Sequence, residues 1–196
     1  MRTVIYIHGA FASGLSFQRI KENLPKHVSH TPEYAVDQPM EEVIAKIDQL
    51  VNEIGDDVHL VAHSLGGIAA TAVAQRNQLV KSVLTMSTPF GGSRIADSLR
   101  WFSAHELYQT LNSNSLLLRN VQRTAVPCRM HSIITTVGNN PMMYEANDGV
   151  VSLKSQLALP KTVNNTEVQQ TKVALNHFEV LLSNTSIKLI KEFTFS

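Results

Sequence analysis

The sequence predicts an α/β fold, a mainly parallel central sheet with helices on both faces. Two observations predict it. Short apolar runs at positions 3–7 and 58–62 have the hydrophobicity of strands buried on both sides, and 80–86 and 128–137 supply further strands. Between them lie segments with helical periodicity or helix punctuation, and strands that alternate with helices along a chain pair in parallel through crossover connections.

The elements follow in order. Residues 3–7 end at His8-Gly9, which opens a loop. Residues 15–24 read as a helix closed by Pro25, and Pro39 opens a clearer one whose Val43, Ile44, Ile47, Leu50, Val51 and Ile54 share a face and which closes at Gly55. The strand at 58–62 is followed by a small-residue helix at 68–75, suited to close packing on a sheet. Ser87-Thr88-Pro89 breaks the strand at 80–86. The segment 94–126 holds Trp101, Phe102, Leu107, Leu111 and the run Leu116-Leu117-Leu118, and has two readings, a small cap above the sheet or a crossover helix with an extension. After the strand at 128–137, residues 168–175 supply a last strand and 178–193 one or two final helices. Nothing marks a linker or a repeat, so residues 1–196 are expected to form one domain.

Composition narrows the function. The 196 residues are 43% hydrophobic and 17% charged, with 17 Lys and Arg against 16 Asp and Glu, which excludes a disordered chain and offers no basic excess for nucleic acid. No window reaches the eighteen or so apolar residues of a membrane span, so no stable membrane insertion is expected. The apolar start is too short for a signal-peptide core, although Ala10-Phe11-Ala12 has the look of a cleavage site. Cys128 is the one cysteine, which fits a reducing compartment and hence a cytoplasmic location, with secretion the alternative if a leader is removed. Without a Cys pair, a His-Glu-x-x-His run or an Asp cluster, no metal is expected.

The chemistry is concentrated in Val61-Ala62-His63-Ser64-Leu65-Gly66-Gly67. A serine between a buried strand and a small-residue helix sits on a sharp turn that exposes its hydroxyl. That turn brings the residues two before and two after it together, so both must be small, as Ala62 and Gly66 are.

In these residues the chain resembles the α/β-hydrolase fold family, and within it the small lipases and esterases with a nearly bare core. Ala62-His63-Ser64-Leu65-Gly66-Gly67 looks like the nucleophile elbow, and Tyr6-Ile7-His8-Gly9-Ala10 like the strand and turn of the oxyanion loop. Ser87-Thr88-Pro89-Phe90-Gly91-Gly92-Ser93 is similar to a lipase loop, with Phe90 where many relatives have histidine. Asn147-Asp148-Gly149-Val150-Val151 is similar to the loop that bears the acid.

The resemblance implies a serine hydrolase of carboxylic esters that works through an acyl-enzyme and needs no cofactor. The family order nucleophile, acid, histidine then selects partners for Ser64. Of the eight histidines, His177 lies downstream between the last strand and the last helices, whereas His131 falls within a strand, His105 in the cap segment, and His8, His27, His30, His59 and His63 precede the serine. Asp148 is the expected acid, with Glu145, Asp97 and Glu106 as rivals. The resemblance implies an oxyanion hole made by the amides of Leu65 and Ala10, with Phe11 the alternative to Ala10. Phe11, Phe90, Trp101, Phe102 and Leu107 are the expected pocket residues. The partner would be a small ester or lipid. A thioesterase or acyltransferase with the same triad, and a non-catalytic binding protein, are the alternatives.

Overall fold

Apolar side chains at every position of a strand require cover on both faces, and the computed structural model, which describes residues 1–93, 106–161 and 168–196, supplies that cover. Six strands, β1 (Thr3–Ile7), β2 (Val28–His30), β3 (Val58–His63), β4 (Val80–Met86), β5 (Arg129–Thr135) and β6 (Gln169–Val173), form one sheet in the order β2-β1-β3-β4-β5-β6. Every neighbouring pair is parallel.

The helices among the described residues are α1 (Gln18–Glu22), α2 (Met40–Ile54), α3 (Leu65–Ala74), α4 (Glu106–Leu111), α5 (Leu116–Arg123), α6 (Leu153–Gln156) and α7 (Asn184–Phe195). Because successive strand residues point to opposite faces, β1 divides its side chains between two cores. Ile5 and Ile7 join β3 residues Leu60 and Ala62 under α2, α3 and α5. Val4 and Tyr6 join Val61, Leu84 and Ile133 under Phe17, Ile20 and the α7 residues Ile187, Ile190 and Phe193.

The α2 helix buries Met40, Val43, Ile44, Ile47 and Val51, the face its spacing predicts, and places Glu41 and Glu42 in its first turn, where they complement the helix dipole. Burying five such side chains contributes about 1.5–3 kcal/mol each. The segment predicted as one helix from residue 15 is instead a 3-10 turn (Gly14–Phe17) running into the short α1. In the 106–126 part of the cap segment, α5 packs as an ordinary outer layer, with Leu118 and Val121 in the core, while Leu116 faces solvent. No helix among the described residues is long and apolar enough to cross a membrane.

Parallel pairing brings the carboxyl ends of β1, β3, β4 and β5 to one edge of the sheet. Three non-glycine residues adopt positive φ just beyond these strands: Phe11 (55°), Ser64 (52°) and Ser87 (53°). Each such residue carries about 1–3 kcal/mol of strain and persists where its surroundings over-determine it.

Candidate active site

The strand β3 ends at His63 and α3 starts at Leu65, so Ser64 alone makes the turn between them. Ser64 takes φ 52° and ψ −125°. Its amide continues the sheet by donating to Met86 O at 2.8 Å, and its carbonyl accepts from the Gly67 amide at 2.9 Å. A Cβ on Gly66 would lie 2.4 Å from the carbonyl oxygens of Ile7 and His8, so the helix can approach β1 this closely only with glycine there.

The loop after β6 brings His177 over this turn. The Ser64 hydroxyl and His177 Nε2 are 3.0 Å apart, and His177 Nδ1 lies 2.8 Å from Asp148 Oδ2. All three residues are at most 9% exposed. The loop is tied through its backbone as well, since the His177 amide donates to Asp148 O at 3.0 Å. With Nδ1–H donating to the carboxylate, Nε2 is left as an acceptor facing Ser64.

Five donors converge on Asp148. Its Oδ1 accepts from the amides of Val150 (3.0 Å) and Val151 (2.7 Å). Its Oδ2 accepts from His177, from the Thr135 hydroxyl at 2.5 Å and from Gln156 Nε2 at 3.3 Å. Burial pushes this carboxyl up, but the hydrogen bond and charge of His177, then Thr135 and Val151, outweigh it and hold the pKa below the ordinary value. Thr135 and Gln156 carry no sequence signal for this role. One ends a strand and the other ends a four-residue helix, and only the fold brings them together.

On the other side of Ser64 lies the turn after β1. His8 Nδ1 donates to Gly9 O at 2.8 Å, and the ring is buried and stacked on Tyr34 with centroids 4.2 Å apart. Tyr34 donates its hydroxyl to His8 O. The His8 Nε2 atom is 3.3 Å from Glu33 Oε2, without the alignment of a hydrogen bond. In a trans peptide the carbonyl and the next N–H point in opposite directions, so fixing Gly9 O also fixes the direction of the Ala10 amide. Ala10 and Leu65 both line the cavity over Ser64, and Leu65, as the first residue of α3, has no intrahelical partner for its amide.

The family model described as the alpha/beta hydrolase family matches residues 4–132. The chain belongs to the alpha/beta hydrolase family. The matched stretch holds the β1 turn and the elbow, and Asp148 and His177 lie beyond it. A search of curated proteins finds no match.

Among solved structures the hydrolase is similar to a Bacillus licheniformis lipase in mature form, at 16% identity over 98% of this chain and 91% of that one, with a TM-score of 0.66. It is also similar to a Paleococcus ferrophilus monoacylglycerol lipase, at 14% identity, 97% and 93% coverage and a TM-score of 0.65. A gene product of Listeria innocua matches at 16% identity, 99% and 94% coverage and a TM-score of 0.70. At such identities the likeness is one of fold.

The cavity of this hydrolase measures about 840 Å³ and has Ser64 and His177 in its wall. Phe11, Leu107, Leu111, Met142, Met143, Tyr144 and Phe178 make it largely apolar. Of the expected pocket residues, Phe11 and Leu107 are in this wall, and Trp101 and Phe102 lie outside the described residues, as do Asp97 and His105. Phe90 is a correction. It is fully buried in the core with α3 and α5, because the turn after Pro89 directs its ring inward rather than to the cavity.

Among the rival acids, Glu145 is in the cavity wall without reaching His177, and Glu106 is at the start of α4. The 142–144 stretch was missed by sequence reasoning, although two methionines and a tyrosine in a loop beside the expected acid are an apolar signal. Two side-chain clamps close this loop. Asn140 donates to Gly149 O at 3.1 Å, and Asn147 donates to Glu145 O at 2.9 Å while accepting from the amides of Asn140 and Gly149. Among the described residues no group of three or more His, Cys, Asp or Glu side chains is placed to hold a metal ion.

Proposed function

We propose that the protein is a serine hydrolase of carboxylic esters, of the lipase and esterase kind, acting on a small-molecule ester or lipid. The observation that carries this reading is the continuous line from Ser64 Oγ to His177 Nε2 at 3.0 Å and from His177 Nδ1 to Asp148 Oδ2 at 2.8 Å, in the wall of an apolar cavity.

The chemistry follows from the polarity of that line. As the Ser64 oxygen bonds to the ester carbonyl carbon, its proton moves to His177 Nε2, and Asp148 stabilises the resulting imidazolium. The carbonyl oxygen becomes an oxyanion and takes hydrogen bonds from the amides of Leu65 and Ala10, donors each worth about 3 kcal/mol of barrier. Collapse breaks the bond to the alcohol, which takes the proton from His177. Water then repeats the sequence on the acyl-enzyme, returning the proton to Ser64.

The largely apolar cavity favours an acyl group of medium length over acetate. The lipase and monoacylglycerol lipase named above are of the same chemical kind, which supports the reading without assigning a substrate.

A fluorophosphonate probe tests it. The expected result is an adduct on Ser64, identified by peptide mapping, and loss of aryl-ester turnover by roughly 10⁴ or more in a folded Ser64→Ala variant. An unlabelled Ser64 in folded protein would favour the binding-protein alternative. A series of acyl chain lengths, run with oxygen esters and thioesters, separates esterase from thioesterase.

A further inference from the structure

We infer that His63, the residue before the proposed nucleophile, is a positioning residue that holds the main chain of His177 so that its Nε2 meets Ser64. This rests on the ester-hydrolase reading above. His177 sits on an irregular segment between β6 and a 3-10 turn (Glu179–Leu181), where no sheet ladder fixes the backbone. Asp148 O holds its amide. Its carbonyl accepts from His63 Nε2 at 2.8 Å.

A carbonyl oxygen can only accept, so the His63 proton is on Nε2 and Nδ1 carries the lone pair. That Nδ1 is buried and has no hydrogen-bond partner among the described residues. An unpaired buried acceptor lowers stability, and an apolar ring of the same size at the end of β3 would avoid it. The imidazole is thus a poor choice for packing and a good one for bonding the backbone of the proposed base.

The surroundings fit that role. The His63 and His177 rings lie 4.8 Å apart at 54°. A Cβ on residue 9 would fall 3.1 Å from His63 Nδ1, so glycine there leaves the ring its room. His63 itself is paired with Met86 in the sheet, and its side chain therefore links the rigid floor to the loop above. Burial, followed by the neighbouring His177 charge, pushes the imidazole down to about 3. The ring stays neutral when His177 takes up the serine proton, and no second positive charge arises beside it.

Two variants of the full chain test this. His63→Phe keeps a ring and loses the donor, whereas His63→Gln keeps an N–H donor. The expected result for His63→Phe is a kcat on a short aryl ester lowered roughly 10–100-fold with KM within about twofold, since small misplacements of reacting groups cost that much. Phosphonate inactivation of Ser64 slows in parallel, the thermal midpoint is retained, and His63→Gln recovers most of the rate.

A folded His63→Phe variant with wild-type kcat and inactivation rate overturns the inference, and so does a His63→Gln variant as slow as His63→Phe. Should His63→Phe fail to fold, His63→Asn, too short to reach the carbonyl, replaces it against His63→Gln, and equal rates in that pair overturn the inference. Ser64→Ala is measured alongside. Turnover near the wild-type rate in that variant sinks the hydrolase reading itself, whereas a Ser64→Ala slowed by roughly 10⁴ beside an unaffected His63→Phe sinks the positioning role alone.

Discussion

The two ends of the Ser64–His177–Asp148 line are built in opposite ways. At the acid end, His177, Thr135, Gln156 and two backbone amides all donate to one carboxylate. At the other end, the amides of Ala10 and Leu65 line an open cavity, and their direction is set indirectly, by the bond from His8 to Gly9 O and by the start of α3. The difference follows the lifetime of the charge. Asp148 is ionised in the resting protein, and a buried carboxylate without partners would be very costly, so the chain itself supplies the donors. In the proposed reaction the oxyanion would exist only transiently, and donors already satisfied at rest would have nothing to give it.

Breaking the acid end gives the largest effect. Asp148→Asn is expected to lower kcat by about 10⁴, because an amide can stabilise the wrong tautomer of His177. Steady-state kinetics on an aryl ester, with circular dichroism to establish folding, check it. A variant within tenfold of wild type would remove Asp148 from the proposed triad.

At the opposite end, His8→Phe retains a ring to stack on Tyr34 but frees Gly9 O, so the Ala10 amide loses its fixed direction. A fall in kcat of roughly 10–100-fold with little change in KM is expected, less than the loss of a whole oxyanion donor at the upper end of its range. Unchanged kinetics would mean that the turn holds itself without His8.

The smallest effect sharpens the comparison. Thr135→Val removes one of five donors and should lower kcat only a fewfold while lowering stability by about 1–3 kcal/mol. Its pH dependence has a definite sign. Asp148 is held below its ordinary pKa, so the stability it contributes is fully present above the ordinary carboxylate range and is lost as pH falls through the depressed folded value. Without the Thr135 hydroxyl that folded value rises, so the loss starts in the same ordinary carboxylate range but is complete at a higher pH, and its total is smaller. Thermal midpoints measured from neutral to acid pH follow both changes.

The strands β1, β3, β4 and β5 are legible in the sequence because a parallel strand covered on both faces carries a run of apolar residues, even where polar positions such as Lys81 or His131 interrupt it. The β2 strand is not. Its three residues between Pro25 and Pro32 are half-exposed and form an edge, with too little hydrophobicity to register. The position of Ser64 follows from local turn chemistry and those of Asp148 and His177 from the order that the family resemblance implies, and the three lie within hydrogen-bonding reach. Thr135 and Gln156 are silent in the sequence, since an uncharged side chain that meets a carboxylate through the tertiary fold leaves no spacing to read. Phe90 misleads for a similar reason. Its direction is decided by one turn after Pro89, and nothing in Thr-Pro-Phe-Gly-Gly tells inward from outward.

The Asn140 and Asn147 clamps give the 141–145 loop the character of a replaceable cassette. Its ends are fastened by side chains that lie outside it, and Met142 and Tyr144 project freely from between them. Four residues of the cavity wall, Met142 to Glu145, can thus be exchanged while the neighbouring carboxylate keeps its donors. For protein engineering, the acceptor of new substrate shapes and the anchor of the proposed proton relay are separable parts of one short stretch of chain.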